Sequence, residues 1–142
     1  MDKASKLNLS MSNLITKAAR VVVHHYQREL TPYGISPSQG GILYILSIVG
    51  GSTQVEIAKL LHLEKTNVNA MIKKLESAKL VQVNKISDDA RKTEVSLTKK
   101  GQDLAVKLVE ADKKVTRLIM QKNENAKDAE IIKKFLERIV FE

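Results

Sequence analysis

No cysteine occurs among the 142 residues, and no tryptophan. The first absence removes disulfides, thiolate metal sites and thiol redox sensing together, and it fits a reducing compartment. Aromatic residues make up only 4% of the chain, which leaves little with which to stack the bases of single-stranded nucleic acid. No apolar run approaches the roughly 18 residues a membrane helix needs, and the N-terminus has no apolar signal core. Nothing therefore marks the chain for a membrane or for export, and a cytoplasmic location is expected. Phosphate loops, a G-x-S-x-G elbow and a Ser-His-Asp order are missing too, so no catalytic residue is assigned and no enzyme is expected. Metal ligands are equally scarce. His24 and His25 are adjacent and diverge by about 100° on a helix, while His62 stands in a turn, so no metal and no cofactor is expected. Asp88 and Asp89 are neighbours, but in a polar loop rather than a cleft, which is the wrong place for general acid–base work.

What is present is positive charge. The net charge is +8, and it is unevenly spread. Residues 1–52 hold five basic and two acidic side chains, residues 53–101 ten and six, and residues 102–142 nine and eight. The excess leans toward the middle of the chain and favours a polyanionic partner. The length is that of one domain with a real core, and no repeat or low-complexity linker divides it.

The middle segment reads as helix, tight turn, helix and hairpin. Thr53-Gln54-Val55-Glu56 has the form of a capping box, with the Thr hydroxyl and Glu carboxylate each satisfying a free backbone N–H. Val55, Ile57, Ala58, Leu60 and Leu61 follow at spacings that predict an inward face. His62-Leu63-Glu64 is the turn, with His among the residues that tolerate a left-handed backbone. Ala58 supplies the small side chain that two steeply crossing helices need. A second helix, about Lys65 to Ala78, is expected to bury Val68, Met71, Ile72 and Leu75. Lys65, Thr66, Asn67, Asn69, Lys73 and Lys74 then remain outside. That outer set matches the chemistry of duplex DNA: Asn can pair twice with adenine, Thr can bond a base edge, and Lys serves guanine or phosphate. The bland reading of the same residues is a solvated helix face. Leu80 to Ile86 and Thr93 to Leu97 alternate apolar and polar residues, as two strands with one buried face do. Ser87 to Lys92 links them, and a hairpin beside a helix-turn-helix is a wing.

The segment resembles the winged helix of the MarR (multiple antibiotic resistance regulator) family of bacterial transcription factors. Asp89-Ala90-Arg91 matches the family's D-x-R, and Val95-Ser96-Leu97-Thr98-Lys99-Lys100-Gly101 matches its v-x-L-T-x-x-G. Ser36-Pro37-Ser38-Gln39 is similar to the family's approach to its second helix. The sequence departs at Lys79, where the family usually has Gly, at Ala70, where Arg is common, and at Gly40-Gly41, where bulkier residues are usual. The resemblance implies a mainly α fold with a small β-hairpin wing. In it, a winged helix-turn-helix (residues 35–98) would be flanked by helical dimerisation regions (residues 1–30 and 99–142), all in one domain. Asp89 is expected to shape the wing by bonding loop N–H groups or Arg91. Arg91, with Lys92 beside it, is expected to reach the adjacent minor groove.

The flanks agree with that plan. Leu9 to Leu30 carries apolar residues at helical spacing, including Leu14 and Val22, and Thr31-Pro32-Tyr33-Gly34 should stop the helix. Ser36-Pro37-Ser38-Gln39 should cap a helix that runs to Gly50-Gly51 and is buried on most sides, with Gly40 and Gly41 in its first turns. Thr98 should cap a long helix to about Lys122 that presents Leu118, and Asn123-Glu124-Asn125 should break it. Asn125 and Asp128 should cap a last helix bearing Phe135, Ile139 and Val140. These outer helices have more apolar surface than the winged helix can cover, so a homodimer is expected. Two recognition helices would then lie roughly 34–36 Å apart on a palindromic site. The function expected is a sequence-specific, double-stranded-DNA-binding regulator, usually a repressor in this family, with a small-molecule effector acting in the crevice between dimer helices and winged helix. Two other classes remain open on sequence alone: an architectural DNA- or RNA-binding protein without base readout, and a helical protein-interaction module.

Overall fold

Five of the six α-helices described begin at a residue whose side chain accepts from a free N–H group of the first turn. Ser10 opens α1 (Met11–Leu30), accepting from the Asn13 amide. Ser36 and Gln39 form a complete capping box at the start of α2 (Pro37–Val49), with Pro37 in the first turn. Thr53 and Glu56 do the same for α3 (Gln54–Leu61). Thr98 caps the long α5 (Lys99–Met120). Each such cap is worth about 1 kcal/mol. The computed structural model describes residues 3, 6–122 and 125–142. The expected break at Asn123-Glu124 therefore lies outside the described residues, but Asn125 does cap α6 (Ala126–Phe141), with Asp128 in its first turn.

Between α3 and α5 lie α4 (Lys65–Ser77) and the antiparallel pair β1 (Val81–Lys85) and β2 (Thr93–Leu97), in the register Val83 opposite Val95. Ser52 adds a bridge on the far edge of β2, exchanging both backbone hydrogen bonds with Val95 at 3.0 and 2.8 Å. The fold is thus mainly helical with one small hairpin. Its core is built where α2, α3, α4 and the hairpin meet, around Ile42, Leu43, Ile57, Val68, Leu75 and Val81, all buried. α5 closes it with Leu108, and α1 contributes Leu30.

Several expectations are corrected. Val55 and Leu60 do not turn inward; both are exposed, and Ile57 and Ala58 alone are fully buried in α3. Two turns of helix offer one narrow buried stripe, and Leu60 instead lines an open cleft of about 770 Å³ facing Ile139 and Val140 of α6. α2 is likewise less enclosed than its composition suggests, because Ile48 and Val49 at its C-terminal end are exposed. Gly40 admits no neighbouring backbone; its missing Cβ leaves room for the Leu30 side chain, whose Cδ1 would be 3.0 Å away. The chain leaves α1 through a short 3₁₀ turn at Thr31–Tyr33 and reverses at Gly34, φ +67°. β1 is one residue shorter at each end than the alternation implies, with Leu80 buried before it and Ile86 exposed after it.

Candidate nucleic-acid interface

The turn that presents α4 depends on a left-handed residue. His62 has φ 51° and ψ 43°, its N–H reaches back to α3, and the Leu63 N–H bonds the Ala58 carbonyl at 3.0 Å. This closes α3 in the manner that Gly more often serves. Gln54, from the first turn of α3, donates to the Lys65 carbonyl at 3.0 Å and ties the start of α4 down. Gln54 was not anticipated, and a lone amide in a first turn gives no signal by which to find it.

α4 buries Val68, Ile72 and Leu75 and half-buries Met71. Lys65, Thr66, Asn67, Lys73 and Lys74 are exposed, as expected. Asn69 is a correction: it is only half-exposed, because position 69 lies beside the buried stripe through Val68 and Ile72. Ala70 takes the fully exposed place next to it. No side chain caps α4, so its first-turn amides face outward as a weakly positive end.

The wing loop is held by its own hydrogen bonds. The Ile86 amide donates to the Lys92 carbonyl at 3.1 Å, the Lys92 amide to the Asp89 carbonyl at 3.0 Å, and the Asp89 amide to Ser87 Oγ at 3.2 Å. The Asp89 carboxylate accepts the Arg91 amide at 3.0 Å. It therefore bonds the backbone of Arg91 and leaves the guanidinium out of the turn. Arg91 and Lys92 are both exposed. Among the described residues, no ion pair engages Lys65, Lys73, Lys74, Arg91 or Lys92.

The corner from α4 into β1 explains the run from Val95 to Gly101. Lys79 sits there with φ 60°, a conformation that favours Gly, where the resemblance expects one. Three groups at the start of α5 grip this corner: Thr98 Oγ1 donates to the Lys79 carbonyl at 2.6 Å, the Thr98 amide to the Leu80 carbonyl at 3.1 Å, and Lys100 Nζ to the Ala78 carbonyl at 3.0 Å. A Cβ on Gly101 would overlap the Leu80 carbonyl oxygen. The Thr-x-x-Gly spacing thus lets the start of α5 pack closely against the corner between α4 and β1.

Away from this face, a crevice of about 400 Å³ opens between α1, α2 and α5. Its walls include Val23, Tyr26, Tyr44, Leu63, Leu108 and Asp112. Tyr26 on α1 donates its hydroxyl proton to Asp112 Oδ1 on α5. Burial pushes the Asp112 carboxyl above the usual aspartate value.

The apolar residues assigned to a dimer face are open to solvent in the single chain. Leu14, Phe135, Ile139 and Val140 are exposed, and Val22 and Leu118 are half-buried. In α6, only Ala129 among the side chains described is even partly buried; Ile131 is 65% exposed and Phe141 74%.

Comparison with known proteins converges on one family. The family model for the MarR family matches residues 33–92. The uncharacterized HTH-type transcriptional regulator YwoH of Bacillus subtilis is 34% identical over 98 residues, which cover 69% of this chain and 71% of that protein. The HTH-type transcriptional regulator Hpr of Geobacillus thermodenitrificans is 32% identical over 85 residues, 60% of this chain but only 42% of Hpr. In fold, Bordetella bronchiseptica BpsR, whose DNA binding is regulated by 6-hydroxynicotinic acid, superposes with a TM-score of 0.84 at 22% identity, covering 94% of each chain. With its helix-turn-helix, β1 and the wing loop inside the matched family segment and a regulator aligned along most of both chains, the chain belongs to the MarR family of winged helix-turn-helix transcriptional regulators.

Proposed function

We propose that the chain is a dimeric, sequence-specific repressor that holds a palindromic duplex site until a small molecule in the α1/α2/α5 crevice releases it. The observation that carries the DNA half of this reading is the outward Lys65-Thr66-Asn67 start of α4, on one scaffold with the exposed Arg91 of the wing. A helix entering the major groove by its N-terminal end brings its first residues to the base edges. Asn67 then reads bases, with half-exposed Asn69 at the edge of the contact. Lys65, Lys73 and Lys74 neutralise phosphates, and Arg91 with Lys92 enters the flanking minor groove, where narrow A·T segments attract cations. Asp89 keeps the loop in the shape that allows this.

The winged helix-turn-helix of residues 35–98 works in pairs. Leu14, Val22, Leu118, Phe135, Ile139 and Val140, from residues 1–30 and 99–142, are proposed to meet their counterparts across a two-fold axis. The effector half rests on the crevice between α1, α2 and α5. BpsR, a protein of the same fold, is regulated in DNA binding by a small molecule.

Selection of bound sequences from a random duplex pool tests the proposal. It should return inverted half-sites with centres about one helical turn apart. Recovery of no motif at all would favour an architectural protein, and a single unpaired half-site would deny the dimer.

A further inference from the structure

Effector control in the crevice is taken here from the proposed function; what the crevice adds is the chemistry of the molecule that would exercise it. Its walls are mostly apolar, but they are not neutral. Of the described residues that line it, Asp112 alone carries a formal charge. Two phenol rings, Tyr26 and Tyr44, share the same space. The nearby Lys114 does not offset the carboxylate, because Glu29 already holds it at 2.8 Å.

A carboxylate and two aromatic rings around a mainly apolar space are the elements of a cation site. A ring face attracts a positive charge through its quadrupole, most strongly where water is excluded. Asp112 is half-buried, and a partly desolvated carboxylate gains more from such a charge than a fully hydrated one does; the upward pull of burial on its carboxyl has the same cause. Tyr26 engages only Oδ1, and among the described residues no group is bonded to Oδ2. An anionic ligand would meet the opposite conditions: no basic side chain on the walls, and a carboxylate facing it.

We infer that the crevice takes a cationic, largely apolar aromatic amine, with the positive nitrogen set between Asp112 and the Tyr26 and Tyr44 rings. The volume of about 400 Å³ suits a molecule of drug size or smaller.

The test uses the full chain and three probes of similar size: naphthylmethyltrimethylammonium, the uncharged naphthylethanol and the anionic naphthylacetate. Binding is followed by calorimetry, and the effect on DNA by fluorescence anisotropy of a labelled duplex. The cation should bind at least about tenfold tighter than either of the others and weaken DNA binding. Asp112→Asn should abolish that preference while leaving naphthylethanol affinity nearly unchanged. Tyr44→Leu, which leaves Asp112 intact, should reduce the preference independently if the first variant folds poorly. Equal or tighter binding of naphthylacetate or naphthylethanol, with loss of DNA affinity, would overturn this inference and leave effector control in the crevice standing. Cation preference that survives Asp112→Asn would place the cation elsewhere and also overturn it. If no probe binds or loosens DNA, the inference falls and effector control of the crevice falls with it.

Discussion

At the scale of single residues, α4 and the wing are proposed to divide the labour of binding by chemistry. Asn67 has two hydrogen-bonding groups and an exposed position in the first turn, so Asn67→Ala should cost about 1–3 kcal/mol on the selected site and little on random DNA. Asn69 is half-exposed, so Asn69→Ala should act in the same direction but more weakly. Lys73→Ala or Lys74→Ala should weaken both kinds of DNA alike and lower the salt dependence by roughly one unit per lost phosphate contact per subunit. Arg91→Ala should weaken binding most where the flank is A·T-rich. Anisotropy titrations on matched duplexes measure all of these; equal losses on both DNAs for every variant would mean that nothing in α4 reads sequence. A separate residue-scale effect concerns stability. Lys79 holds φ 60° without the freedom of Gly, and relief of that strain exceeds the extra entropy Gly brings to the unfolded chain. Lys79→Gly should therefore stabilise the fold by about 0.5 kcal/mol or more, read as a higher denaturation midpoint with unchanged slope. A lower midpoint would show that the Lys79 side chain contributes more than the strain costs.

At the scale of elements, the angle between α4 and the wing depends on α5 as much as on the hairpin. Gly101 lets α5 lie against the Leu80 carbonyl, and Thr98 bonds the Lys79 carbonyl in the same corner. Gly101→Ala should cost about 2–4 kcal/mol, since backbone rather than a side chain tip must yield. DNA affinity should fall with it even under conditions where the protein stays folded, as judged by circular dichroism. A near-neutral effect would show that the corner is looser than its contacts imply. The capped helices, the turn at His62 and the two strands were legible in the sequence because each has a local cause: a hydroxyl at an N-cap, a left-handed residue, a two-residue alternation. What was not legible depends on distant partners. The Tyr26–Asp112 hydrogen bond joins residues 86 apart in sequence, and the reason for Gly101 is a carbonyl 21 positions earlier. Val55, Leu60 and Ile48 were misplaced for a related reason. Apolar spacing shows that a residue avoids water, but not whether its own chain or another surface covers it.

At the scale of the whole molecule, the longest exposed apolar stripes lie on α6 and on the outer face of α1. Ile131, Ile139 and Phe141 are exposed in the single chain, and leaving such a stripe wet would be unusual for a helix. Replacing Ile139 and Val140 together by Asp should abolish the dimer and DNA binding in step, while the winged helix keeps its helical signal. Sedimentation equilibrium decides this, and a stable, folded monomer of the unmodified protein would defeat it. The charge distribution agrees for the C-terminal arm, since residues 53–101 carry ten basic and six acidic side chains while residues 102–142, with nine and eight, are nearly balanced. The duplex would meet the positive middle of the chain, and the nearly balanced C-terminal arms would meet each other.

If the proposed function holds, this basic winged helix distinguishes one duplex from another. The most direct measurement is equilibrium binding of the full chain to the selected palindrome and to a shuffled duplex of the same composition, across a range of salt concentrations. Both affinities should fall as salt rises, because phosphate contacts are common to both. The palindrome should remain tighter by about a thousandfold or more at physiological salt, with two chains bound per duplex. Two superimposable salt curves, with no preference at any concentration, would show that the winged helix reads no sequence.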